Sequence, residues 1–293
     1  MRILITGSNG LLGQKLVAQL LQKGIDFMAS SLGVNRNNDC PGENYRTMDI
    51  CNRDEIAEVF KEFKPTHVIH TAAMTNVDAC ELNPQECKSL NVDSVQLLAN
   101  QCLAEHCHFQ LLSTDFVFDG SKGNYQEEDA PNPLSIYGHS KLQAEEYIKD
   151  LPSLQFSIVR TIIVYGTGNQ LSRSNIVKWA KEALHEGKEL SIIDDQFRAP
   201  TWADDLAWAC IRICELNENG IFHISGPETM SIYEIVERIA KHYQLPMDQV
   251  KRTTSFSLSQ PAVRPPRTGF NLSKANSRLG YAPKSLEETL DFI

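Results

Sequence analysis

A short apolar run, Ile3-Leu4-Ile5, leads straight into Thr6-Gly7-Ser8-Asn9-Gly10-Leu11-Leu12-Gly13, and a helical pattern over Leu11–Leu21 follows, stopping near Gly24. A buried strand, a glycine turn and a helix in immediate succession leave few folds open to the chain. Glycines let the turn tighten and let a diphosphate approach the backbone. The free N–H groups and positive end of the helix then face that anion. The spacing is G-x-x-G-x-x-G rather than G-x-G-x-x-G, so the weight rests on the context of strand, turn and helix.

The rhythm continues beyond the loop. Phe27–Ala29 reads as a weak second strand, Arg53–Phe63 as a helix before Pro65, and His67–His70 as a strand. Gln85–His106 reads as one long helix, Phe109–Ser113 as a strand, Tyr137–Lys149 as a helix and Phe156–Arg160 as a strand. Strands alternating with helices of this length predict an α/β fold with a doubly wound parallel sheet. From about residue 166 polar loops, 166–175 and 253–268, separate helices and two short strands, Leu190–Ile193 and Ile221–His223. This predicts a dinucleotide-binding domain of the Rossmann type over 1–165, with 199–224 returning to it. A smaller C-terminal substrate-binding lobe takes 166–198 and 225–293, over the sheet edge where such folds bind ligands.

The bulk properties narrow the function. The 293 residues carry 28 Lys and Arg against 37 Asp and Glu, a net charge of −9, which disfavours nucleic acid as a partner. No apolar run is long enough for a signal peptide core or a membrane helix, so a soluble, cytoplasmic protein with no membrane partner is expected. None of the eight cysteines forms a C-x-x-C pair. Cys102, His106, Cys107 and His108 crowd together but lack a second ligand pair at zinc spacing, so no metal is expected.

Two groups carry chemistry. Tyr137 and Lys141 are four apart at the start of a helix, on one face. An ammonium beside a phenol is expected to lower its pKa from about 10. Tyr137 could then protonate a carbonyl oxygen as hydride reaches the carbon, with Lys141 on the nicotinamide ribose. Thr114, in Leu112–Gly120 at a strand end, is placed to hydrogen-bond that carbonyl. Cofactor choice rests on the end of the second strand, where an acidic residue would bind ribose hydroxyls and select NAD. Ser30 and Ser31 stand there instead, Arg36 follows, and Asp26 precedes the strand, which favours NADP (as NADPH) and leaves NAD open.

With these segments in view the chain resembles the extended short-chain dehydrogenase/reductases, and within them the dTDP-4-dehydrorhamnose reductases. The resemblance rests on TGSNGLLG at 6–13, DI at 49–50, HTAAMTNVDACE at 70–81 and LNVDSVQLLA at 90–99. It continues through LSTDFVFDG at 112–120, SIYGHSKLQAE at 135–145, VRTIIVYG at 159–166 and IIDDQFRAPTWADDLA at 192–207. It implies a catalytic set of Thr114, Tyr137 and Lys141. Cofactor contacts are implied for Gly7, Asn9, Gly10, Leu11, Gly13, Asp49, Ile50, Ala72, Ala73 and Lys141. The implied substrate is a 4-keto-6-deoxy sugar on a nucleoside diphosphate, with Thr75 and Asp115 near the sugar. Arg264 and Arg267, in RPPRTGFN, suit the diphosphate.

The chain departs from the family pattern where Ile163 stands for a Trp and Arg198 for a Gly. Both changes imply an altered sugar site, with Arg198 offering a donor to an acidic substrate group. Two other functions fit the resemblance: an epimerase or dehydratase that keeps NAD bound, and a non-catalytic NADP-binding regulatory subunit like the β subunit of methionine adenosyltransferase. The intact Thr114–Tyr137–Lys141 set argues for catalysis. The sequence also leaves room for a homodimer.

Overall fold

The computed structural model describes every residue except Ser259. Six strands of the main sheet come in order along the chain: β1 (Arg2–Thr6), β2 (Asp26–Ser31), β3 (Tyr45–Thr47), β4 (His67–His70), β5 (His108–Thr114) and β6 (Phe156–Thr161). The seventh is Gly220–Ile224, which joins β6 at one edge, so the order is Gly220–Ile224, β6, β5, β4, β1, β2, β3. All six pairings are parallel. The α/β, doubly wound expectation is met. The chain runs outward from β1 to β3, then returns to lay β4 on the other side of β1. That reversal opens a crevice beyond the carboxyl ends of β1 and β4, the place where such sheets bind ligands.

Helices cover both faces. α1 (Leu11–Lys23) lies on one, and α2 (Arg53–Phe63) on the other, its N-terminus capped by the Asn52 side chain. The chain from Val77 to Ala104 adds α3 (Val77–Leu82), α4 (Pro84–Lys88) and α5 (Ser94–Ala104). α6 (Ile136–Lys149) follows, capped by Ser135, whose hydroxyl accepts from the Gly138 N–H. Ile3, Ile5, Leu16, Val17 and Leu20 form a core with the helix Ala203–Leu216, while Leu4, Val68, Leu98, Phe109 and Ile148 form the core of the opposite face. A third core joins Val177, Ile192, Ile235, Ile239 and Leu290.

Some boundaries differ from the sequence expectation. Asp26 is the first residue of β2, paired with Arg2, and not a residue before it. The run 85–106 is not one regular helix: a π-helical turn, Ser89–Asp93, separates α4 from α5. Asn91, within that turn, reaches out to the backbone of Met74, accepting its N–H at 2.8 Å and donating to its carbonyl at 3.0 Å. Leu190–Ile193 pairs in parallel with Val250–Thr253, outside the main sheet. The segment read as the loop 253–268 begins with the end of that strand and holds a 3-10 turn, Ser255–Leu258; Ser259 within it lies outside the described residues.

Candidate active site

At the crevice the glycine loop packs against the loop after β4. Gly7 has φ +73, and a Cβ on it would come within 2.6 Å of the Ala72 nitrogen. A Cβ on Gly13 would come within 2.5 Å of Ser8 Cα, so α1 can lie tight on the turn. Gly10 is the N-cap, with no side-chain cap and no acid in the first turn, so the helix start is bare. Such a cradle fits the diphosphate of a dinucleotide by backbone alone. Leu11 opens the helix, its side chain near Gly166. Asn9 ties the rim together: its side chain accepts the Arg36 N–H at 2.8 Å and donates to the Val34 carbonyl at 2.9 Å.

Ser30 is not at this rim. It is fully buried and donates its hydroxyl to the Ile5 carbonyl at 3.1 Å, because its side chain lies in the sheet beside β1. Ser31 takes the place instead and accepts the Asn9 N–H at 3.0 Å. The Arg36 guanidinium reaches the Gln170 carbonyl across the mouth. Asp49 accepts the Cys51 N–H, and Ile50 sits in the core beneath, so only its backbone is offered upward. Ala72 and Ala73 are half-buried along the β4 side.

On the other side of the crevice, β5 ends at Thr114 and α6 presents Tyr137 and Lys141. Thr114 accepts the Phe116 N–H at 3.2 Å, and Phe116 meets the Tyr137 ring edge-on at 5.8 Å. Burial pushes the Tyr137 hydroxyl well above its ordinary range, and Thr114 beside it opposes that only in part. The expected lowering by Lys141 is not met: that ammonium is itself desolvated, with its pKa brought down to about 8 against the opposing pull of Glu145. No hydrogen bond from Lys141 Nζ to protein is found among the described residues. A buried, unpaired ammonium one turn from Tyr137 fits hydroxyls of a bound ribose.

The substrate-side residues divide into two groups. Arg264 donates to Asp78 at 2.7 Å, Arg267 is exposed with its guanidinium over the Phe197 ring, and Thr75 is exposed at the mouth beneath Arg173. Asp115 and Arg198 are buried and turned toward each other, Arg198 Nε lying 3.6 Å from Asp115 Oδ2. Arg198 spends its other donors on backbone carbonyls, Pro265 at 2.7 Å and Phe197 at 2.8 Å. The expectation of a free donor for an acidic sugar group does not fit this arrangement. Ile163, between β6 and the short strand Val164–Tyr165, has φ +31, a strained backbone for a β-branched residue.

Residues outside the sequence reading also build the site. Asn91 donates to Ser140 of α6 at 3.0 Å and so links the Met74 loop to the helix of Tyr137 and Lys141. An Asn inside a helical pattern, where its propensity is low, was the available signal. Glu145 pairs with Arg160 at 2.6 Å, both buried, and takes the Ser113 hydroxyl at 2.5 Å. That pair anchors α6 to β5 and β6 one turn beyond Lys141. A buried ion pair between distant segments leaves no spacing to read.

Three comparisons bear on this arrangement. The dTDP-4-dehydrorhamnose reductase of Aggregatibacter actinomycetemcomitans is 31% identical over 306 residues, spanning 100% of this chain and 98% of the relative. Methionine adenosyltransferase 2 subunit beta of Danio rerio is 32% identical over 295 residues, spanning 98% and 87%. The crystal structure of the Bacillus anthracis dTDP-4-dehydrorhamnose reductase in complex with NADP superposes with a TM-score of 0.86 at 27% identity, over 99% of this chain and 97% of that one. The family model described as the RmlD substrate binding domain matches residues 1–293, and the chain therefore belongs to that family.

Proposed function

We propose that this protein is an NADPH-dependent reductase of a 4-keto-6-deoxy sugar carried on a nucleoside diphosphate. The observation that carries the reading is the meeting of Thr114, Tyr137 and Lys141 at the sheet's switch point, facing the bare glycine cradle. NADPH, when bound, supplies the hydride. The chain's residues do the rest. The Gly7–Gly13 backbone and the α1 N-terminus take the diphosphate, with Arg36 toward the 2′-phosphate. Lys141 hydrogen-bonds the nicotinamide ribose. Tyr137, kept protonated by its burial, delivers a proton to the carbonyl oxygen as the carbon is reduced. Arg264 and Arg267 face the nucleoside diphosphate, Arg264 exchanging Asp78 for phosphate. We place the cofactor-binding unit at 1–165 with 199–224, and the lobe at 166–198 with 225–293. The core around Ile192, Ile235 and Leu290 supports a lobe there, although Tyr165 and Trp202 join it and Ala275, Leu279 and Tyr281 pack in the core of the main sheet.

The test is NADPH oxidation with dTDP-4-dehydrorhamnose and related sugar nucleotides. Tyr137→Phe should cost at least about 10²-fold in kcat with cofactor affinity nearly unchanged, since a phenyl ring keeps the packing and loses only the proton. A variant that keeps most of its activity would remove Tyr137 from the mechanism. Because the Lys141 pKa lies at about 8, kcat/KM should fall as pH rises through that value and the ammonium is lost. The likeness to a methionine adenosyltransferase subunit gives a second reading, NADP binding without turnover. Tight NADPH binding with no oxidation across the sugar panel would favour it.

A further inference from the structure

Asp115 and Arg198 form a buried charge pair directly behind Thr114. The Thr114 hydroxyl donates to Asp115 Oδ1 at 3.1 Å while its oxygen accepts the Phe116 N–H. Its one donor is therefore held by Asp115, which fixes the hydroxyl beside Tyr137. Asp115 Oδ2 takes the Thr268 hydroxyl and faces Arg198 Nε. Arg198 is only 2% exposed and lies 5.5 Å from the centre of the Phe116 ring, which packs on Tyr137. Through the Pro265 carbonyl and Thr268 the pair also holds the loop that carries Arg264 and Arg267.

We infer that Asp115 and Arg198 are positioning residues for the reduction: Asp115 holds the Thr114 hydroxyl in place beside Tyr137, and Arg198 faces the Asp115 carboxylate while seating the 264–268 loop beside it. The inference rests on the reductase reading and assigns neither residue to the sugar. It gives Tyr137 the role of proton donor to the substrate and Thr114 that of its orienting partner.

The electrostatics agree with the geometry. Burial pushes the Asp115 carboxyl above its usual value, and Arg198 pulls it back most strongly, followed by Thr268 and Thr114. The other charged or titratable groups around the pair are Tyr137 on α6, on which Asp115 acts, and Arg264 on the loop, which acts on Arg198. Removing the Arg198 charge leaves burial opposed only by the hydrogen bonds to Asp115, so it protonates at higher pH and becomes a poorer acceptor for Thr114.

The experiment compares the wild type, Arg198→Met, Asp115→Asn and the double variant, each first shown to be folded. Methionine keeps length and volume and removes the charge. In Arg198→Met the acid limb of the kcat profile should move up by at least one pH unit, with NADPH affinity unchanged. In Asp115→Asn and in the double variant that limb should vanish, because an amide accepts the Thr114 proton without titrating. A purely structural role would lower thermal stability and leave the profile in place. If the folded variants keep the wild-type profile, the assignment is overturned. Should Arg198→Met fail to fold, Asp115→Asn alone decides by the same limb. The 13C signal of the Asp115 carboxyl, followed by NMR without substrate, judges the pair separately from turnover. It should titrate higher in Arg198→Met than in wild type, and an unchanged titration overturns the inference even if no sugar nucleotide is ever reduced.

Discussion

Gly10 is the residue of the phosphate loop where a side chain has room and does harm. A Cβ there would meet only the Gly7 carbonyl oxygen, at 3.2 Å, and the residue is exposed at the helix start. Gly10→Val should therefore fold while placing its branched side chain over the N–H groups meant for the diphosphate. Calorimetry should find NADPH binding lost and thermal stability close to wild type; undiminished affinity in the folded variant would mean the loop binds something else. Arg36 offers a finer test. Its backbone is fixed by Asn9, but among the described residues its guanidinium makes one long contact, to the Gln170 carbonyl at 3.4 Å, and is available to a phosphate. Arg36→Ala should weaken NADPH by roughly tenfold, the scale of one charge-assisted contact, and leave NADH binding as it was. Equal losses for both cofactors would move the 2′-phosphate away from Arg36.

Among the elements, α6 carries both Tyr137 and Lys141 of the proposed catalytic set, and its seat depends on Gly138. A Cβ on Gly138 would overlap the Phe116 carbonyl oxygen and lie 2.9 Å from Pro133 Cβ. Gly138→Ala should push the helix away from Thr114, so kcat should fall by at least tenfold while circular dichroism still shows a folded chain. Full activity would show that the 114–118 turn yields easily. The Tyr137–Lys141 spacing on this helix was legible in the sequence because a helical period puts both on one face. So was the glycine loop, since strand, turn and helix are local patterns. What escaped was set by partners distant in sequence. Ser30 was misplaced by one position, and in a strand one position moves a side chain to the other face. The Tyr137 pKa was expected to fall because the ammonium was visible and the burial was not. Arg198 looked like a free donor because neither Asp115 nor the Pro265 carbonyl can be paired with it by spacing.

Across the whole molecule, buried histidines set the acid limit of stability, and three of the four carry the large shifts. His70, at the end of β4, bonds the Thr6 hydroxyl at 2.7 Å; His108, at the start of β5, bonds Ser157 at 2.9 Å; and His223, on the edge strand, bonds the Tyr125 carbonyl at 3.0 Å. Burial is the first cause in each case, and it brings their pKa values down to about 3, about 4 and about 3. Nearby positive charge adds to it: Lys141 for His70, His67 for His108 and Arg160 for His223. In the native state they stay neutral, while in the unfolded chain they take up protons below the ordinary value of 6.5. Between 6.5 and about 4 the unfolded chain therefore binds more protons, so stability is fully present above that window and is lost as pH falls through it. Each histidine contributes a slope of roughly 1.4 kcal/mol per pH unit, so the three together remove roughly 5 kcal/mol between pH 7 and pH 5. Asp115 and Glu127 act in the opposite direction, since burial raises both carboxyls and the native state takes up their protons first. They offset part of the loss. Against an ordinary stability of about 5–15 kcal/mol, a loss of this size removes roughly a third or more of it by pH 5. Urea denaturation at half-unit steps from pH 7.5 to 5 should show the free energy falling steadily, with the slope reduced by about one third in His223→Gln. A flat profile over that range would mean that these histidines are charged in the native state and that the burial argument for them is wrong.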